Sequence, residues 1–267
     1  MSTRDASTSG PAAPSPHRAG PGEDADRSRV TVRLLGGFEL SCDGARVSVP
    51  PGSQRLIAFL ALHDRPLLRL YVAGALWLDV EETRSCANLR SALWRLRQPG
   101  HPIVEATATH VCLASAVVVD VQELVRVARQ VLDSPGDALD VIFDDGPLEE
   151  NLLPDWYEDW IDLERERLRQ LRLHAVEAAA EYALAQHRPA RAVDLALGAL
   201  RRDPLRESLH ELVIRTHLAQ GNRAEAIRHH RSHLARMETE FGLRPSPEIV
   251  RLLGELNVLP VGLEESS

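Results

Sequence analysis

Residues 83–97, reading TRSCANLRSALWRLR, constrain this chain more than any other stretch. Leu89, Ala92, Leu93 and Leu96 recur at helical spacing and make one apolar stripe. At about 100° per residue, Arg90, Ser91, Trp94, Arg95 and Gln98 fall on the other side. Such a helix anchors itself by its leucines and presents arginines, a serine and an indole outward. The planar fork of arginine pairs with phosphate and with the O6/N7 edge of guanine. The pattern points to a helix that enters a DNA groove. The plainer alternative is a solvated face on an ordinary core helix, and the neighbouring sequence decides between them.

The chain has 267 residues, enough for two domains of ordinary size, and 44% hydrophobic residues, enough for packed cores. No apolar run approaches the ~18–20 residues of a membrane span. The N-terminal region lacks a charged-then-apolar signal pattern, so a cytoplasmic protein is expected. Cys42, Cys86 and Cys112 are far apart and odd in number, which fits neither a metal site nor a disulfide framework. All 31 basic residues are arginine. A chain without lysine has no P-loop lysine, no Schiff-base lysine and no kinase-type lysine. With no Ser-His-Asp signature and no Gly-rich phosphate loop either, no enzyme and no cofactor are expected.

A net charge of −8 looks wrong for a DNA-binding protein until it is divided. Residues 30–119 hold nine arginines and seven acids, net +2. Residues 120–160 hold two arginines and twelve acids, net −10, and the two flanking stretches balance to zero. Nucleic-acid affinity follows local basic surface rather than the total. A net +2 is modest, so two copies on one site are expected for useful binding.

Residues 1–28 are rich in Ser, Pro, Gly, Ala and Asp without periodicity and read as a disordered leader. Strands are expected at 30–35 and 38–42, then a turn at Asp43-Gly44 and a third strand at 47–49. Ser53 is placed to cap a helix over 54–63, which Asp64-Arg65-Pro66 breaks. A second helix follows at about 70–78, then the acidic loop Asp79-Val80-Glu81-Glu82, with Thr83 placed to cap the third helix. Short strands at 103–105, 110–113 and 117–119 close the region. Three strands, three helices and a hairpin form the order in which a third helix docks in the major groove and a hairpin flanks it as a wing.

The segments LGGFEL, DGARVSVPPGSQRLIAFLALHDRP and ALWLDVEETRSCANLRSALWRLR resemble the N-terminal winged helix of the Streptomyces antibiotic regulatory protein family. Arg95-Leu96-Arg97 match the Arg-Leu-Arg that ends the family's third helix. The second half reads as helices at 124–132, 156–187, 190–201, 205–219, 223–241 and 247–256, with an acidic loop over 133–151. Trp160, Leu163, Leu168, Leu171 and Tyr182 are expected to face inward, and small residues at Ala178–Ala180, Ala190/Ala192 and Ala224/Ala226 to let helix pairs approach closely. Helical hairpins spaced near 34 residues read as tetratricopeptide-like repeats. The wording LLPDWYEDWIDLERERLRQLRLHAVEAAAEY and DPLRESLHELVIRTHLAQGNRAEAIRHHRSHLARMETEFGLRPSP resembles the bacterial transcriptional activator domain of the same family.

The expected fold is therefore mainly α with a small β component. A leader (1–28) precedes a winged helix (29–119), an all-α tetratricopeptide-like domain (120–258) and a flexible tail (259–267). The resemblance implies a DNA-binding activator of a specialised-metabolite gene cluster that binds tandem direct repeats. It puts Ser91 and Arg95 at base edges, and Arg90 and Arg97 on phosphates. Trp94 is left to pack on the sugar-phosphate or to fill the wing interface. The wing, 105–110, offers Thr107, Thr109 and His110 but lacks the arginine and glycine often found there. The loop with Asp79, Glu81 and Glu82 corresponds to the segment that faces RNA polymerase. Promoter DNA, RNA polymerase holoenzyme and a second copy of the chain are the implied partners. An interaction scaffold and a ligand-sensing regulator are the rival readings.

Three further constellations take bland readings. His229 and His233 share a helix face at metal-ligand spacing, but without a third ligand they read as polar positions on a repeat helix. Asp144-Asp145 with Glu149-Glu150 read as a solvated acidic loop. Trp156, Tyr157 and Trp160 read as a helix-packing anchor.

Overall fold

Asp43 and Gly44 both take left-handed backbone, φ 51° and 79°, and so close a two-residue hairpin whose twist matches its strands. The computed structural model describes residues 29–97, 101–138, 150–242 and 251. The leader, the tail, Gln98, Asp144-Asp145 and Glu149 lie outside those residues, as does the helix expected at 247–256 apart from Arg251. Around the hairpin, β1 (Val30–Arg33) pairs antiparallel with β2 (Glu39–Cys42), and β2 with β3 (Ala45–Arg46). The third strand sits earlier than the sequence suggested. A two-residue turn pairs the residues that flank it, Cys42 with Ala45 and Ser41 with Arg46, which leaves Val49 to turn into the core.

The first helix, α1 (Pro51–His63), starts with proline at its first positions, where a missing N–H costs nothing. Ser53 is not its cap. It lies inside the helix, buried, and its hydroxyl donates to the Ala92 carbonyl at 3.3 Å. After α1 comes β4 (Leu67–Leu68), a strand too short to leave a periodicity signal. Then follow α2 (Arg69–Leu76), α3 (Glu82–Arg95), β5 (Val104–Ala106), β6 (His110–Leu113) and β7 (Val117–Val119). Thr83 lies inside α3 rather than capping it; no side chain caps that end.

The last three strands do not form one unit. β5, β6 and β4 make a three-stranded wing sheet, whereas β7 joins the first sheet beside β1 in parallel, in the order β3-β2-β1-β7. Three helices between a four-stranded sheet and a β-hairpin make a winged helix.

The second half is helical: α4 (Asp120–Asp133), the short α5 (Pro135–Ala138), α6 (Asp159–Ala185), α7 (Pro189–Leu200), α8 (Glu207–Ala219) and α9 (Arg223–Phe241). From α6 to α9 each helix packs on the next, and α7 and α9 begin 34 positions apart. Ala179, Ala180, Ala192, Ala196 and Ala226 are fully buried where these helices meet. Leu163 faces solvent at 76% exposure, contrary to expectation, because the inward stripe of α6 runs through Ile161, Leu168, Leu173 and Ala175. Tyr157 is likewise exposed, while Trp156 stacks on Phe38 and Trp160 meets Phe59.

One hydrophobic core runs through the winged helix and into the helical half. Leu34, Leu35, Leu56, Phe59 and Leu60 belong to the same cluster as Leu124, Leu152, Leu153, Ile161 and Leu168. Polar contacts fasten this joint. The Asp120 carboxylate accepts the Leu34, Leu35 and Val121 N–H groups at 2.7–3.0 Å. Burial pushes its pKa up against the pull of those bonds. Gly36 N–H donates to Asn151 O and Leu153 N–H to Leu34 O. Arg165 donates to the carbonyls of Leu152, Leu153 and Trp156, and so ties the chain before α6 to α6 itself.

Of the α9 histidines, His233 is buried, while His229 and His230 are half-buried. His233 and His210 are buried, their rings stacked with centroids 3.7 Å apart, and His210 Nδ1 lies 2.9 Å from His229 Nε2. Among the described residues no three His, Cys, Asp or Glu side chains are arranged to hold a metal ion. No described helix is long and apolar enough to cross a membrane.

Candidate nucleic-acid interface

Alternation of apolar and polar positions fixes the roll of α3. Ser85, Leu89, Ala92 and Leu96 are buried against α1 and α2, with Leu93 partly buried beside them. The Ser53–Ala92 hydrogen bond pins the middle of the helix to α1. Because the stripe recurs every three or four residues, the opposite side is forced outward. Arg90, Ser91, Trp94, Arg95 and Arg97 are all exposed, Trp94 at 72%.

Elsewhere in the winged helix, Arg33 pairs with Glu150, Arg46 with Glu39 and Arg55 with Glu158. Among the described residues, Arg90, Arg95 and Arg97 pair with no carboxylate. Arg90 and Arg95 are held on the helix and Arg97 just beyond its end, and a guanidinium without a carboxylate partner keeps its forked donors for an external anion. The Ser91 hydroxyl donates to Ala87 O at 3.0 Å and keeps its lone pairs for an incoming donor.

The wing turn is built by Thr107. Its hydroxyl oxygen accepts the N–H groups of Thr109 and His110 at 3.3 and 3.0 Å, and its own N–H donates to His110 O at 2.9 Å. Thr109 Oγ1 lies 2.9 Å from His110 Nδ1. All three side chains are exposed. The turn is thus ordered without glycine, by side-chain bonds that a threonine can make to following amides.

Asp79 and Glu81 are exposed in the loop between α2 and α3, next to Leu78 at 74% exposure. Glu82 is not in the loop. It occupies the first turn of α3, where a carboxylate favours the helix dipole. Glu82 in the first turn and Arg95 in the last each suit the helix dipole.

Two arginines escaped the sequence reading. Arg84 is exposed in the first turn of α3 and, at 100° per residue, lies within about 20° of Ser91 and of Arg95 on the helix circumference. Its spacing, seven and eleven residues from them, was readable. Arg69 was not readable. It begins α2, yet Nη1 donates to Thr107 O at 3.1 Å and its backbone N–H to Thr109 O at 2.9 Å, so it belongs to the wing.

The geometry defines a winged helix whose third helix carries arginines that pair with no carboxylate among the described residues. The model of the bacterial transcriptional activator domain matches residues 122–257, and the chain belongs to that family. Members are transcriptional regulators, not enzymes. Among solved structures, Mycobacterium tuberculosis EmbR in complex with a low-affinity phosphopeptide is similar, with a TM-score of 0.69 and 18% sequence identity. The match covers 88% of this chain and 67% of that one, and at this identity the likeness is one of fold. No curated protein sequence matches the chain significantly.

Proposed function

We propose that this regulator is a sequence-specific DNA-binding activator that lays α3 in the major groove and its wing on the adjacent backbone. The observation that carries this is the exposed set of Arg84, Arg90 and Arg95 on α3, with Arg97 just past its end, none of which pairs with a carboxylate among the described residues, on a helix whose other side is locked into the core. Arg95 and Ser91 face base edges in this reading, while Arg90 and Arg97 hold phosphates and Trp94 packs on the sugar-phosphate. Thr107, Thr109 and His110 meet the backbone from the wing. Two copies occupy tandem direct repeats, because one module of net +2 makes few phosphate contacts. Asp79, Glu81 and Glu82, beside exposed Leu78, face basic surface of RNA polymerase. A cytoplasmic protein acting on a specialised-metabolite gene cluster is the setting that fits the family resemblance.

Footprinting of the full chain on DNA flanking its own gene tests the proposal. Protection of two half-sites about one helical turn apart, lost as salt rises, is the expected result. Protection that is absent at low salt, or uniform along the fragment, would remove sequence-specific binding and leave an interaction scaffold as the better account.

A further inference from the structure

The wing has a cation after all, and it comes from another element. In a two-residue hairpin the carbonyl of the first turn residue ordinarily accepts the N–H three positions on. Here the His110 N–H is taken by Thr107 Oγ1 instead, and the Thr107 carbonyl accepts from Arg69 Nη1 at 3.1 Å. Strand β4 brings Arg69 there. Leu67 pairs with Val111 and Leu68 with His110, and the next link is Arg69 N–H to Thr109 O. The guanidinium is therefore set at the wing tip by its own backbone register.

The position is a costly one for an arginine. Arg69 is the first residue of α2, where a positive charge opposes the helix dipole, and no acidic residue lies in that first turn. No carboxylate among the described residues pairs with it. Its hydrogen bond to Thr107 uses one of five N–H donors. The Thr107 bond fixes the guanidinium but leaves its charge without a carboxylate partner among the described residues, which suits it to an external anion.

We propose that Arg69 is the wing's missing arginine: it holds the 107–110 turn in place and turns its remaining donors to a DNA backbone phosphate. The inference rests on α3 entering the groove. It adds a fixed phosphate contact beside the wing, some forty residues away from it in sequence.

The test uses the full chain and a duplex that the wild-type protein selects from a random library. Arg69→Ala, Arg69→Lys and Arg95→Ala are titrated against that duplex over a range of salt. Arg69→Ala is expected to bind roughly tenfold more weakly and to lose about one unit of the salt slope. Arg69→Lys should keep the slope, because it keeps the charge, but show faster amide exchange at Thr109 and His110 in the free protein, because the fork is lost. If Arg95→Ala loses the site while Arg69→Ala keeps wild-type affinity and slope, the proposal for Arg69 is overturned and the α3 reading stands. If neither variant changes binding, the α3 reading itself is wrong. Lost affinity with an unchanged slope in Arg69→Ala would also overturn the phosphate contact.

Discussion

The indole of Trp160 meets the ring of Phe59 edge-on, with centroids 5.2 Å apart and planes at 79°. Phe59 belongs to α1 of the winged helix and Trp160 to α6 of the activator domain. The indole N–H donates to Glu158 Oε2 at 2.5 Å, and the other oxygen of that carboxylate lies 2.8 Å from Arg55 Nε. One aromatic pair and one shared carboxylate thus join the winged helix to the helical half. The two halves therefore share one buried core.

The first prediction follows from that joint. Trp160→Ala removes a large ring from a shared core and should destabilise the protein by about 3 kcal/mol. Both halves should melt earlier together. A chemical denaturation followed by near-ultraviolet and far-ultraviolet signals checks this. Separate transitions, with only the helical half weakened, would contradict the shared core.

Asp120 supplies the second prediction. Asp120→Ala leaves the N–H groups of Leu34, Leu35 and Val121 without their acceptor in a part-buried place. Stranding such donors costs about 2 kcal/mol, which lowers Tm by about 4–8 °C in a protein of this size. Calorimetry measures it directly. An unchanged Tm would mean that the burial that raises the Asp120 pKa already cancels the bonds.

The buried histidines give a pH dependence. Burial depresses His229 and His233 to about 4, and lowers His210 as well. Neighbouring imidazoles and Arg236 push the same way, while Glu207 opposes the shift at His210 and His233. Unfolded, each takes a proton near pH 6.5. Between about 6.5 and 4 the unfolded chain therefore binds more protons than the folded one, and stability falls as pH falls through that window. His233→Leu should flatten the difference in urea stability between pH 7 and pH 5. A variant as acid-sensitive as wild type would exclude this cluster as the source.

What the sequence revealed followed the range of each interaction. The outward face of α3 was legible because a 3.6-residue period places Leu89, Ala92 and Leu96 against Arg90, Ser91 and Arg95 within a single helix. The Asp43-Gly44 turn was legible because only a few residues accept its backbone angles. Contacts between distant segments were not. Nothing local indicates that Val117 pairs beside Val30, that Arg69 reaches Thr107, or that His210 of α8 stacks on His233 of α9. Leu163 misled because an isolated leucine in a charged helix reads as inward until the rest of the stripe is placed.

The central claim is that Arg95 reads a base while Arg90 and Arg97 hold phosphates. The most direct test is a salt titration of wild type, Arg90→Ala, Arg95→Ala and Arg97→Ala on two duplexes, the selected site and the same site with its guanines exchanged. Arg95→Ala should lose about 1–3 kcal/mol of discrimination between the two duplexes. Arg90→Ala and Arg97→Ala should weaken binding to both alike, each lowering the salt slope by about one unit. Full discrimination retained by Arg95→Ala would contradict the account.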